Sequence, residues 1–364
     1  MKKNNQDFDN NRNYISPELE HEKRRRKARL GKLMTTLDRV FGFMLATALV
    51  VVIAGLGLVY VFTKGPSESL RDDFVMTMLE TRRFDFMTNL FLTADEVQEI
   101  RKVSQETVSY EQDSSLISIS SAAAIGAASV EENYAQDDDG DGIIFENVKG
   151  AGFAGYLITI LDPTRVFVGM PDNYGGIGLT LEEMVNKYGA LGGINAGGFR
   201  DEGGTGLGGL PEGLTVVDGV VYGEGVGESI FAGFDDKGVM HVGYFTSWNI
   251  EALNIQNGVS FGPLLIVNGE PVNPASLPSG VNPRTAIGQR ADGAVMMLVI
   301  DGRQAHSMGA TYQDCMNILF SRGAVNAINM DGGSSSNMYL NGEYVNRNSS
   351  TSGARPLPTA FLFK

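Results

Sequence analysis

Four short segments of this chain share one design: an apolar run that ends in polar residues and glycine. They are GINAGGF at 193–199, NPRTAIG at 282–288, VIDGR at 299–303 and NMDGGSSS at 329–336. A rigid sheet presents side chains to a pocket at strand ends, and glycine there lets the backbone approach a ligand closely. Asp301 and Asp331 each follow an apolar run, so they could meet in one cleft as a carboxylate pair. Asp-Gly is equally an ordinary turn dipeptide. The successive amides of Gly332, Gly333 and Ser334 could form an anion-binding nest with the hydroxyls of Ser334, Ser335 and Ser336, or simply a tight turn between strands. Arg284, stiffened by Pro283, could grip a phosphate or carboxylate bidentately; the alternative is a surface salt bridge.

Other chemistries find no support. There is no G-x-x-x-x-G-K-[ST], and the glycines of GINAGGF do not match a dinucleotide fingerprint. His241 and His306 give no metal-ligand spacing with cysteine or acid, and no G-x-S-x-G accompanies them, so both read as satisfied structural residues. The acidic run DDDGDG at 137–142 resembles the start of a calcium-binding EF-hand loop, with glycine at its sixth position. Its twelfth position is Val148, where a bidentate Glu is required, and no flanking helices are predicted. A polar hairpin turn opening the globular domain is the better reading, with Ca2+ as the lesser alternative and no metal site assigned.

The elements that must position these residues are legible. The chain is β-rich and glycine-dense from Ile143 onward, with a strand at 155–160 and a continuous apolar run at 294–300 that fits a central strand covered on both faces. Asp-Gly at 218–219 and Asn-Gly at 268–269 mark hairpins, and 231–245 reads as two strands joined at 235–238. Helices are predicted over 180–188 and 311–322, each opened by Thr with an acid three residues on and closed by Gly189 or Gly323. Two more amphipathic helices are expected over 67–102, the second opening at Thr93 with Glu96. Residues 104–136, rich in Ser, Ala, Glu and Gln, read as a mobile stalk. The fold class is α+β, a mixed and mostly antiparallel sheet with a few packed helices.

Residues 40–63 carry no charge and are bracketed by Arg39 and Lys64, a transmembrane helix by length, since about 1.5 Å per residue spans a hydrocarbon core of roughly 30 Å. Residues 1–39 form a basic tail, dense in Lys and Arg at 23–32, which the positive-inside bias places in the cytoplasm with the C-terminal part outside. Residues 1–64 hold 12 Lys and Arg against 6 Asp and Glu, a net of +6. The rest holds 17 against 37, a net of −20, and together these give −14. So acidic an exterior disfavours nucleic acid and anionic lipid as partners. With one cysteine, Cys315, no intrachain disulfide is possible, which suits an exported domain on a Gram-positive surface. The expected organisation is 1–39 cytoplasmic tail, 40–63 membrane helix, 64–136 helices and stalk, and 137–364 a globular domain.

Taken in order, INAGGF, GPLL with the NGEPV hairpin, NPRTAIG, IDGR with Ser307 and Gly309, AINMDGGSSSNMYLNG and the closing Arg355-Pro-Leu-Pro resemble the phosphodiester glycosidase family from about Lys149 to Lys364. The resemblance implies hydrolysis of the bond between a sugar's anomeric carbon and a phosphodiester, the partner being a cell-envelope glycan or another phosphodiester-linked sugar. A departing phosphate needs little acid help, so such a site mainly needs donors for its oxygens and a carboxylate for the sugar carbon. Under this resemblance Arg284 and the Gly332, Gly333 and Ser334 amides would take the phosphate, with Thr285 and Ser335 as secondary donors. Asp331 would be nucleophile or base, Asp301 its partner or a sugar ligand, and Asn195 a contact to a sugar hydroxyl or N-acetyl group. Two rival readings are a non-catalytic phosphoglycan-binding scaffold using the same pocket and a calcium-dependent adhesin using 137–141.

Overall fold

The computed structural model of the chain describes residues 17–81, 85–103, 112–119, 136–137, 139–200, 206–223, 227–274, 277, 280–350 and 352–364. It divides into two units, Met1–Phe62 and Thr63–Lys364. In the first, helix α1 (Pro17–Lys64) runs unbroken through the basic stretch and the apolar stretch. Its apolar window has a mean hydropathy of 2.6 and is long and apolar enough to cross a membrane. At about 1.5 Å per residue the helix is about 70 Å long, more than twice a hydrocarbon core. Phe41, Phe43, Leu49 and Ile53 lie exposed along it.

The second unit begins with α2 (Glu68–Thr81), a 3₁₀ turn at Asp85–Leu90 and α3 (Ala94–Val103). Val75, Leu92, Val97 and Ile100 form a small core between them. Thr93 and Glu96 cap α3 reciprocally, each accepting the other's backbone amide, as the Thr-x-x-Glu spacing requires. The remaining elements are β1 (Ile143–Gly150), β2 (Phe153–Ile160), β3 (Val166–Gly169), α4 (Leu181–Tyr188), β4 (Gly192–Asn195), β5 (Thr215–Val217) and β6 (Val220–Tyr222). They continue with β7 (Ser229–Asp235), β8 (Met240–Phe245), α5 (Ser247–Ala252), β9 (Ile255–Ser260), β10 (Leu264–Val267), β11 (Glu270–Pro271) and β12 (Arg284–Arg290). The last are β13 (Val295–Ile300), α6 (Tyr312–Phe320), β14 (Ala324–Met330), β15 (Met338–Leu340), β16 (Glu343–Tyr344) and β17 (Ala360–Phe363).

These strands make three sheets, ordered β1-β2-β13-β12-β14-β10-β11, β16-β15-β4-β17-β3 and β6-β5-β9-β7-β8. The fold is α+β, and each pairing among the named strands is antiparallel. One apolar core draws on all three sheets, from Leu157 and Leu298 through Val242 and Val259 to Phe361. Strand β13 is buried along its whole length between β2 and β12, the setting that its unbroken apolar sequence predicts. Asp218-Gly219 and Asn268-Gly269 take the left-handed conformations of two-residue hairpin turns, and Asn341-Gly342 makes a third. Thr180 and Thr311 both form capping boxes, with Glu183 and Asp314.

Two expectations change. The acidic run is not a hairpin: its described residues form bends that lead into β1. The compact unit also starts well before residue 137. Much of 104–136, read as a stalk, lies outside the described residues, but 112–119 is fastened to the sheets. The Gln112 carboxamide bridges the edge strand β8, donating to Met240 O at 2.9 Å and accepting from Val242 N at 2.6 Å. Asp113 N donates to Asn268 Oδ1, Ser118 N donates to Ala291 O, and Ile117 is buried. A side-chain amide here copies the donor–acceptor pair that a neighbouring strand would supply, which covers part of a sheet edge.

Two outcomes follow from this packing. Gln112→Ala strands the Val242 amide at the sheet edge, and the denaturant midpoint should report a loss of about 1–2 kcal/mol. Cys315 is buried, and burial pushes its thiol up to about 12 against the opposing pull of the nearby Arg284 charge. A thiol-specific reagent at pH 8 should therefore label it only as fast as the domain unfolds.

Candidate active site

Strand β12 sets the geometry. Arg284 pairs with Ile300 of β13 on one side, and Thr285 pairs with Met330 of β14 on the other. Asp301 and Asp331 therefore leave the sheet at the same edge, flanking the start of β12. Two strand spacings, about 10 Å, separate the points of departure. The two acids, expected as a carboxylate pair in one cleft, thus share one end of the sheet, with β12 between the strands that carry them. Their surroundings differ sharply.

Asp301 is 1% exposed. Its Oδ1 accepts from Asn346 Nδ2 at 3.2 Å and from the Arg347 amide at 3.0 Å, while its Oδ2 lies 2.9 Å from His306 Nε2. Ser307 Oγ donates to its carbonyl at 2.6 Å and accepts from Ala154 N at 3.0 Å, which fixes the turn to β2. Tyr156 on β2 is near enough that burial first, and the Asp301 charge second, hold its phenol above the usual range. A carboxylate so enclosed does not reach a sugar carbon. This corrects its expected role as a partner in the chemistry or as a sugar ligand. The imidazole beside it, by contrast, is 42% exposed.

Asp331 is half-buried at the head of the DGGSSS loop. Its amide donates to Ala196 O at 3.0 Å, and its carbonyl accepts from Asn195 Nδ2 at 2.6 Å. Asn195 is itself 1% exposed, and its Oδ1 accepts from Thr285 Oγ1 at 2.8 Å and from Asn337 N at 3.1 Å. Asn195 and Thr285 thus form a buried joint between β4 and β12, beneath the loop that they were expected to complement. Both are buried and serve as supports, with both lone pairs of the Asn195 oxygen and one of its two N–H donors spent on neighbouring backbone and side chain.

The expected nest of three successive amides does not form. Gly333 N donates to Pro283 O at 2.9 Å, and the turn then closes with Ser335 N on Gly332 O and Ser336 N on Gly333 O. The amides of Gly332 and Ser334 meet no acceptor among the described residues. Ser335 is buried, with its carbonyl held by Asn337 Nδ2. Gly333 has a φ of 63°, and a Cβ there would lie 3.6 Å from the Arg303 guanidinium. The left-handed backbone is what favours glycine here, since a Cβ at that distance would make only an ordinary contact.

Arg284 is enclosed as well, at 3% exposure. Its Nε donates to Ala310 O at 3.0 Å, its Nη2 to Gly280 O at 2.6 Å, and its guanidinium sits 4.1 Å from the Tyr312 ring centroid. It braces the wall of the site. Two other arginines take the flanks of the loop, both within motifs legible in the sequence but unassigned there. Arg303 reaches from the β13 side, donating to Asn282 Oδ1 at 2.9 Å. Arg355 meets the loop at its next residue, donating to Ser334 Oγ at 3.1 Å with its guanidinium 4.4 Å from the Phe199 ring. Asn346 and Asn348 hold the loop from behind, the latter through Ser334 O at 2.9 Å and Asn337 Oδ1 at 2.9 Å. A short-range sequence signal for His306, Asn346 or Asn348 is lacking.

The acidic turn lies off the far end of β1, away from this edge. The carboxylates of Asp137, Asp139 and Asp141 come within 4.8 Å of one another. Asp137 accepts from the amides of Gly140 and Gly142. Burial pulls its carboxyl up, but the Gly142 and Gly140 amides and Asp139 outweigh that and hold it below its ordinary value.

Comparison with known proteins fits this layout. The chain is 30% identical over 198 residues to the SPbeta prophage-derived uncharacterized protein YomE of Bacillus subtilis (strain 168), an alignment covering 51% of this chain and 29% of that protein. The chain thus spans less than a third of that relative's length. The zebrafish N-acetylglucosamine-1-phosphodiester alpha-N-acetylglucosaminidase catalytic domain, auto-inhibited by its pro-peptide, shares the fold with a TM-score of 0.52 at 20% identity. That match covers 63% of this chain and 85% of the zebrafish one. The family model for phosphodiester glycosidase matches residues 188–364, which include Asn195, β12, both acids and both flanking arginines. Residues 188–364 are accordingly a domain of the phosphodiester glycosidase family.

Proposed function

We propose that this chain is a membrane-anchored extracellular hydrolase that cleaves sugar-1-phosphodiester linkages in cell-envelope glycan. The observation that carries the reading is the pair of guanidiniums set against the Gly332–Ser334 loop, Arg303 beside Gly333 and Arg355 on the Ser334 hydroxyl. In a region with a net charge of −20 after residue 64, such a convergence is a local exception suited to an anion. The two arginines, with the Gly332 and Ser334 amides, bind the phosphate oxygens and stabilise the charge that develops as the sugar leaves. Asp331, half-buried beside them, serves the anomeric carbon as nucleophile or base. The basic residues at 23–32, on the N-terminal side of the apolar stretch, support a cytoplasmic N-terminus and an external catalytic unit.

The full chain in detergent micelles, given methyl diesters of sugar-1-phosphates, should release reducing sugar. Asp331→Asn should lower kcat/KM by about 10³-fold or more while substrate still binds. Arg303→Ala and Arg355→Ala should each cost about 10- to 100-fold, as expected for loss of one charge-assisted contact of about 1.5–3 kcal/mol. Arg284→Lys should act on stability instead. Binding without release of sugar by the wild type would favour the scaffold reading.

A further inference from the structure

We infer that His306 is the general base that activates the hydrolytic water, and that Asp301 is its positioning residue; this inference rests on the functional reading above. His306 is the one histidine set at this edge of the sheet, on a tight turn in which Gln304 and Ser307 exchange backbone hydrogen bonds. Arg303, whose guanidinium lies beside Gly333 of the DGGSSS loop, stands on the same turn three residues before His306.

The pairing is directional. Asp301 is immobilised by Asn346, the Arg347 amide and the Ser307 hydroxyl on its own carbonyl. It holds His306 through Nε2, which leaves Nδ1 as the nitrogen that exchanges protons. A buried carboxylate behind a half-exposed imidazole fixes its tautomer and supplies the counter-charge when it is protonated. The other titratable group shown to feel the Asp301 charge is Tyr156, and the backbone amide of Arg347 also faces the carboxylate.

The chemistry favours a base over an acid. The departing oxygen belongs to a phosphate monoester, whose second ionisation is near pH 6, so it leaves without a proton. Water, with a pKa of about 15.7, gains most from proton removal. In the step, which leaves Asp331 to stabilise the positive charge developing on the sugar carbon and not to act as base, neutral His306 Nδ1 takes a proton from water as the water oxygen bonds to the anomeric carbon. The bond from that carbon to the phosphate oxygen breaks, and its electron pair stays on the phosphate. The imidazolium, paired with Asp301, then returns its proton to solvent.

The test uses the full chain and a sugar-1-phosphate methyl diester. His306→Gln should lower kcat/KM by about 10²- to 10⁴-fold and remove the acid limb of its pH profile, the fall in rate as the base becomes protonated. Asp301→Asn should lower kcat by about 10-fold or more with KM nearly unchanged, and should add little to the loss already made by His306→Gln; a purely structural role would make the two losses additive. His306→Ala should regain rate in azide and yield a glycosyl azide, since azide attacks without shedding a proton. Wild-type kcat/KM with an unchanged acid limb in His306→Gln would overturn this inference alone. Absence of turnover by the wild type would overturn the functional reading and this one with it.

Discussion

A single buried carboxamide holds two sheets together beneath the loop that carries Asp331. Asn195 ends β4, Thr285 is the second residue of β12, and the Asp331 carbonyl follows β14; all three meet at the Asn195 side chain. Each partner is a group that would otherwise be buried without a hydrogen bond, a loss of about 1–3 kcal/mol apiece. The Asn337 amide on the same oxygen then fixes where the loop ends. The loop's entry, its exit and the edge of β12 are therefore set by one residue, and every group above it inherits that placement. Asn346 does the same on the β13 side, joining Asp301, Ser336 O and Met338 N. Fully connected polar networks of this kind specify one arrangement where apolar packing would permit several.

The arginines divide by the same logic. A buried guanidinium must spend its donors on fixed acceptors, and Arg284 spends them on Ala310 O and Gly280 O while stacking on Tyr312. Its charge adds to the positive potential under the site, but its geometry is committed. Arg303 and Arg355 approach the loop from its rim, where a planar fork can exchange partners as a ligand arrives. Arg303 adopts φ of 57°, a conformation uncommon for a residue with a side chain, and it directs that side chain over Gly333. Backbone strain at this position fits a site that needs the cation there.

Much of the fold was legible because its signals are local. Thr93, Thr180 and Thr311 cap helices through acids three residues on, and Asp218-Gly219 and Asn268-Gly269 turn hairpins, all within a few residues of sequence. The apolar run of β13 is equally self-contained. The site was legible only in outline. Strand ends rich in Gly, Asp and Asn do come together at one edge, yet residue type could not distinguish a buried arginine from an exposed one. That distinction depends on Tyr312, Ala310 and Gly280, which lie up to 28 positions from Arg284 in the chain. His306 carries no spacing pattern at all; its significance comes from Asp301, five residues away, being buried behind it. Gln112 is the extreme case, since its partners Met240 and Val242 lie about 130 residues downstream.

The same long-range contacts join the N-terminal part of this unit to the site wall. Helix α2 packs so closely on Gly280 that any side chain there would overlap Thr77, and the Gly280 carbonyl is one of the two acceptors that hold Arg284. At the opposite end of β12, Gln289 links the sheets by accepting from Met240 N and donating to Gly238 O, next to where Gln112 docks. Segments from before residue 120 thus brace both ends of the strand that positions the two acids. The helices after the apolar stretch and residues 112–119 act as structural parts of the same compact unit as the three sheets. A truncation placed at residue 137 by composition alone would remove supports from both ends of β12 while leaving every expected site residue in the chain.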